Sequence, residues 1–252
     1  MTRKILVVST ALALLPFDVF AQTDKRPQRK DSVTVSAGIP KEQLALEAQL
    51  DGVISQGDQA LRSGNASDAI KQYESALDLV QKQPLLTERE PWVLKKLASG
   101  YMQGSRPKDA IPIYAKLLAF RKGDCESESA AVSDCGDAQY GLGVAKAYSG
   151  DFLGAVTLFS DAQANYAKAE KSGGFHEFTM IQVKNQGQTK LWMGIALNRL
   201  GRTQDALAAI EAAIQQLSRV QSDESILIGI RDDAARSLQQ AQTILARLKS
   251  TQ

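Results

Sequence analysis

From Leu50 to Val220 the apolar residues recur at spacings of three and four, and four segments repeat one order of small and bulky side chains. In the first, Gly57, Gly64, Ala69, Tyr73 and Ala76 hold the keyed places. The second has Ala98, Tyr101, Ala110, Tyr114 and Leu117. Gly143, Gly150, Ala155, Phe159 and Ala162 follow, then Gly194, Leu197, Gly201, Ala206, Ile210 and Ala213. Each segment reads small residue, turn, alanine, bulky residue, small residue. The first small residue lets two antiparallel helices approach closely, and a turn glycine accepts a left-handed backbone without steric penalty. Spacings of four and three then put the alanine, the bulky residue and the next small residue on one helix face.

The pattern predicts helices near 41–63, 67–83, 88–103, 107–121, 136–149, 152–171, 176–200, 203–220 and 224–249. Strand-like alternation is scarce, so the expected class is all-α. Thr87 and Glu90 form an expected capping box for the third helix, and Pro112 falls inside the fourth. The sequence KSGG at 171–174 ends the sixth. The last segment sets Ile226, Ile230, Leu238, Ile244 and Leu248 against Arg231, Asp232, Arg236 and Gln240, as expected of the solvating end of a helical stack.

On these residues the chain resembles the tetratricopeptide repeat (TPR) family. The resemblance implies an α-solenoid, a right-handed superhelix of antiparallel helix pairs, with repeats near 50–86, 91–124, 136–172 and 187–222 and a capping helix over 224–249. Repeat two departs from the pattern: its turn reads GSRP, with Gly104 one place early, and Leu117 replaces the final small residue. The keyed alanines lie 41, 45 and 51 residues apart, longer than usual for the family and similar to the long repeats of kinesin light chains.

The resemblance also implies a partner-binding groove lined from the first helix of each pair. Carried over, it comprises Arg62 with Asp51, Ile54, Asp58 and Leu61; Trp92, Lys95 and Met102 with Ser99 and Gln103; Tyr140, Val144 and Tyr148 with Asp137 and Ala147; and Leu191, Ile195, Asn198 and Arg199 with Gln188. Its mixture of aromatic anchors and both charges suits an extended peptide or a partner helix. Trp92, Tyr140 and Tyr148 are the expected anchors. The chaperone-binding members use lysine and asparagine where this chain has Ile54 and Asp58, so that clamp is missing.

Charge and composition add the setting. Arg3 and Lys4 precede an apolar run from Ile5 to Phe17, and Val19-Phe20-Ala21 offers small residues at a cleavage point. Residues 1–21 therefore read as a secretory signal, too short for a membrane span and without a following cysteine for a lipid anchor. Residues 22–39 are a polar leader carrying Lys25, Arg26, Arg29 and Lys30, and 40–252 form the helical domain. The formal net charge is +2 for the whole chain, which gives no field argument for nucleic acid or membrane. The expected location is the bacterial periplasm or outside the cell.

Chemistry-bearing motifs are few. The single histidine, His176, has no serine or cysteine motif nearby, which disfavours a catalytic triad. Gly141 and Gly143 lack the third glycine and the preceding strand of a dinucleotide loop. No cofactor and no metal site is expected. Asn65-Ala-Ser67 fits a glycosylation sequon but also serves a helix turn. The two cysteines, Cys125 and Cys135, sit in the loop between repeats two and three. In an oxidising compartment such a pair forms a disulfide, with free thiols or a redox or metal role as the alternatives. The functional expectation is a non-enzymatic interaction scaffold of the cell envelope, serving an envelope, secretion, pilus or polysaccharide assembly. A solute-binding protein using the same groove is the rival.

Overall fold

A computed structural model describes residues 40–250; the expected signal peptide and polar leader lie outside them. Ten α-helices and a 3-10 turn follow one another: α1 (Lys41–Arg62), α2 (Ala66–Lys82), the turn Pro84–Arg89, α3 (Glu90–Gln103), α4 (Pro107–Phe120), α5 (Lys122–Cys125), α6 (Val132–Tyr148), α7 (Phe152–Lys171), α8 (His176–Arg199), α9 (Thr203–Gln221) and α10 (Ile228–Ser250). No strand occurs among the described residues. Helices pack as the pairs α1–α2, α3–α4, α6–α7 and α8–α9, and each pair stacks on the next through α2–α3, α4–α6, α7–α8 and α9–α10. Packing by chain neighbours is the signature of a solenoid.

The keyed residues do what their spacing requires. Ala69, Ala110, Ala155 and Ala206 are fully buried. A Cβ on Gly57 would stand 2.4 Å from the Tyr73 ring, one on Gly143 2.7 Å from Phe159, and one on Gly194 2.5 Å from Ile210. Each first helix thus carries a gap that the bulky residue of its second helix fills. Repeat two has Ala98 there, and Tyr114 instead covers Gly141 of the next repeat, at 2.3 Å from an added Cβ.

The irregular turn of repeat two leaves a backbone trace. Gly64, Gly150 and Gly201 take the left-handed conformation in the other hairpins, whereas here Ser105 takes it, at φ 57°. A side chain in that region costs about 1–2 kcal/mol. Ser105→Gly, at an exposed site, is therefore expected to raise the unfolding free energy by about 0.5–1 kcal/mol, net of the entropy glycine adds to the unfolded chain. Urea unfolding of the two proteins checks it.

Three boundaries differ from the sequence expectation. Thr87 does not cap α3; it lies in the 3-10 turn and donates to Pro84 O at 2.9 Å. Leu86 is fully buried, and tucking it under the helices tightens the chain into that turn. Glu90 opens α3 and accepts from Lys116 Nζ at 2.6 Å. The helix α6 starts four residues early because Val132 and Cys135 are buried. Conversely α10 starts late: Asp223 accepts from the N–H and the hydroxyl of Ser225, and Ile226 is buried in the bend. Pro112 does lie within α4, on an exposed face where water reaches the carbonyl it leaves unbonded. Asn65 caps α2 by accepting from Asp68 N at 3.2 Å.

The helix α10 packs on α9 and reaches α8. Gln188 Nε2 donates to Ser237 Oγ at 3.1 Å, and Lys184 pairs with Asp233 at 3.8 Å. It occupies the place of a first helix in a fifth pair.

Candidate binding cavity on the first-helix face

Because each first helix lies between neighbours, its inward stripe becomes a wall shared by several repeats. A cavity of about 400 Å³ opens there, lined from α1, α3, α6 and α8, with Tyr73, Tyr114 and Tyr166 reaching in from the second helices. On α3 the lining residues are Pro91 and, after it, Trp92, Lys95, Lys96, Ser99 and Gln103, a helical stripe at spacings of three and four.

Two carboxylates organise the walls. Asp58 on α1 accepts from the Tyr73 hydroxyl at 2.6 Å and from Lys96 Nζ at 3.0 Å. Asp137 on α6 accepts from the Tyr166 hydroxyl at 2.9 Å and from Lys95 Nζ at 3.1 Å. The adjacent lysines of α3 thus reach in opposite directions and tie three first helices together. Burial, then the bonded Asp58, pushes the Tyr73 phenol well above its ordinary range. Burial and Asp137 do the same to Tyr166. Both phenols are therefore neutral donors.

A third pair closes the side toward the disulfide loop. Arg121 bridges Asp124 at 3.1 Å and Asp134 at 3.3 Å. Burial raises the Asp134 carboxyl and the Arg121 charge opposes that shift. Trp92 carries cations over its ring, Arg89 at 4.8 Å and Lys96 at 5.9 Å from the centroid. Arg89 is itself held by Asp51 at 2.6 Å.

Of the residues expected to line a groove, Arg62, Trp92, Lys95 and Tyr140 face this cavity, with Asp58, Leu61, Ser99, Gln103, Asp137 and Gln188. Met102 and Val144 are fully buried, and Leu191 and Ile195 are buried too; all four belong to the core instead. Met102 sits beside Gln103, off the stripe. For the others the cause lies at the far end of α6 and α8. There Tyr148 and Trp192 meet with ring centroids 5.3 Å apart, and the two helices close the space that a groove would need. Asn198 and Arg199 lie beyond that seal, Arg199 over the Phe152 ring at 5.1 Å.

Sequence reasoning missed Lys96, Arg121, Asp134, Tyr166 and Asn185, all in the lining. Tyr166, seven residues beyond Phe159 on the same face of α7, was the one with a readable signal.

His176 lies away from the cavity lining and pairs with Asp223 at 2.6 Å. Among the described residues no group of three or more His, Cys, Asp or Glu side chains is placed to hold a metal, and no helix is long and apolar enough to cross a membrane.

Comparison with solved structures places the architecture. Two crystal structures of a Podosopora anserina protein described as a kinesin light chain with nearly identical TPR-like repeats superpose with TM-scores of 0.53 and 0.52. Each shares 16% identity, covering 84% of this chain and 96% of the other. The fold is TPR-like. No protein-family model matches the chain, and no curated protein does. In this TPR-like stack the cavity occupies the face lined by the first helices, where inward side chains of several repeats converge.

Proposed function

We propose that this TPR-like chain is a non-enzymatic interaction scaffold that holds a peptide or helix of a protein partner in the cavity. The observation that carries the reading is the composition of the wall. A half-buried tryptophan and tyrosines from three repeats surround carboxylates already satisfied by internal lysines and phenols. Such a surface offers aromatic anchorage at its centre without the unpaired charges that resist desolvation. The signal-like N-terminus supports export to the periplasm or beyond, in service of a cell-envelope assembly.

A solute-binding role is the second reading, because about 400 Å³ falls within the range of small-ligand pockets. Selection of a displayed peptide library on the oxidised protein separates the two. Peptides so enriched are expected to lose about 30-fold or more in affinity to a Trp92→Ala variant, the loss typical of a central aromatic anchor. Circular dichroism of the variant checks its folding. Enrichment of no peptide, together with a metabolite that raises Tm by several degrees, would overturn the scaffold reading.

A further inference from the structure

One edge of the cavity wall adjoins a segment, α5 and the loop after it, that is tied by the disulfide rather than by buried side chains of its own. Cys125 and Cys135 are bonded, ten residues apart in sequence, with Cα atoms 5.2 Å apart. Each lies next to one of the wall pair: Cys125 N donates to Arg121 O one turn back, and Asp134 immediately precedes Cys135. The short helix α5 buries no residue. Besides the disulfide, the α5 side chain of Asp124 is bridged by Arg121, which also reaches Asp134 on α6. Those groups are between 29% and 49% exposed, and surface pairs of that kind hold weakly. Glu128, the loop's contact to α7, reaches Lys168 only at 3.8 Å and is 87% exposed.

The two sulfurs sit in unlike surroundings. Cys125 is half-buried beside an exposed loop, whereas Cys135 is fully buried. Asn165 Nδ2 directs a donor at Cys135 Sγ from 3.3 Å while also donating to Gln139 Oε1 at 2.7 Å. An attacking thiolate therefore meets Cys125 first, and the sulfur that leaves is the one with a hydrogen-bond donor waiting.

We propose that the Cys125–Cys135 bond is a redox latch beside the cavity wall: it holds α5 and the 122–131 loop, and with them the Asp124 partner of Arg121, against the lining when oxidised and frees them when a dithiol reduces it. The proposal rests on reading the cavity as a binding site. One thiolate of the dithiol attacks Cys125 Sγ, the S–S bond breaks, and Cys135 leaves as a thiolate that takes up a proton. The second thiol of the reductant then displaces Cys125, which is protonated in turn. Two electrons and two protons pass to the protein, and the dithiol becomes a disulfide. The rest of the wall stays in place, because Asp58, Lys95, Lys96 and Asp137 are tied to helices that pack by buried apolar faces.

Hydrogen exchange of the full oxidised chain, before and after dithiothreitol, tests this without any ligand. Amides of 122–131 are expected to exchange on the order of a hundredfold faster after reduction, the loss of loop-closure entropy for a ring of this size. Those of α1–α4 and α7–α9 keep their protection. Acrylamide quenching follows chiefly Trp92, since Trp192 is buried, and is expected to increase in parallel. Cys125→Ser reproduces the reduced pattern without reductant. A monothiol such as glutathione is expected to leave its adduct on Cys125. Unchanged exchange over 122–131, loss of protection across all hairpins, or an adduct on Cys135 would each overturn the latch. Failure of the peptide selection bears on the scaffold reading alone and leaves these readouts intact.

Discussion

Phe159→Ala is expected to lower the unfolding free energy by about 3–5 kcal/mol, the usual cost of emptying an aromatic site in a packed core. Phe159 is fully buried, its ring covers Gly143, and Tyr140 stands 6.2 Å from it at a tilt of 48°. The removed ring would leave a void between α6 and α7 that neither helix can close, because each is also held by its other neighbour. The same geometry makes a second variant informative. A Cβ on Gly143 would meet Phe159 Cε1 at 2.7 Å and Cδ1 at 2.9 Å, so Gly143→Ala overpacks the site. It should cost about 1–3 kcal/mol, although alanine is the better helix former by about 1 kcal/mol. Combined with Phe159→Leu, the alanine loses its clash and the two effects should fall short of additive by about 1 kcal/mol. Chemical unfolding of the four proteins reads the coupling. Strict additivity would mean that the glycine is not there to admit the ring.

That pairing also explains how much of the fold was legible. Small residues at fixed distances from a bulky one are a local signal of close helix approach, and they placed every hairpin of the TPR-like stack. Helix ends depended on neighbours instead. The early start of α6 follows from burial of Val132 and Cys135, and the late start of α10 follows from burial of Ile226. Neither is encoded in the spacing of nearby residues. The site divides the same way. Trp92, Lys95 and Arg62 could be placed because α1 and α3 keep one inward stripe. Val144, Leu191 and Ile195 were misplaced because the stripe they continue is filled by the Tyr148–Trp192 contact. Lys96 could not be chosen over its neighbours from sequence, since its partner Asp58 is 38 residues away. The cysteine pair was legible as a disulfide from its even number and the signal-like N-terminus, but its position beside Arg121 and Asp134 in the cavity wall needed the fold.

Lys184 carries the second large expected effect. Its side chain is 7% exposed, and its acidic partner Asp233, 3.8 Å away, is shared with Arg236. Burial, opposed by Asp233 and then Asp137, lowers the ammonium pKa from its ordinary 10.5. Asp233→Asn would leave that ammonium without its nearest carboxylate and is expected to cost about 2–3 kcal/mol near neutral pH. This is less than for a fully buried pair, because Asp233 is 23% exposed and the amine can shed its proton. Lys184→Met should behave in the opposite way, neutral or stabilising by about 1 kcal/mol, because it removes the desolvated charge while Asp233 keeps Arg236. The pH dependence follows from the direction of the shift. The folded chain releases the Lys184 proton at lower pH than the unfolded chain does. Between the lowered value and 10.5 the unfolded state holds more protons, so this group's contribution to stability rises with pH across that window. Below it the full penalty is present, and above it the two states are protonated alike. Unfolding free energies of the native chain and Lys184→Met should therefore differ most at neutral pH and converge as pH approaches 10.5. A difference that stayed constant over the window would mean that the buried amine keeps its ordinary affinity for the proton.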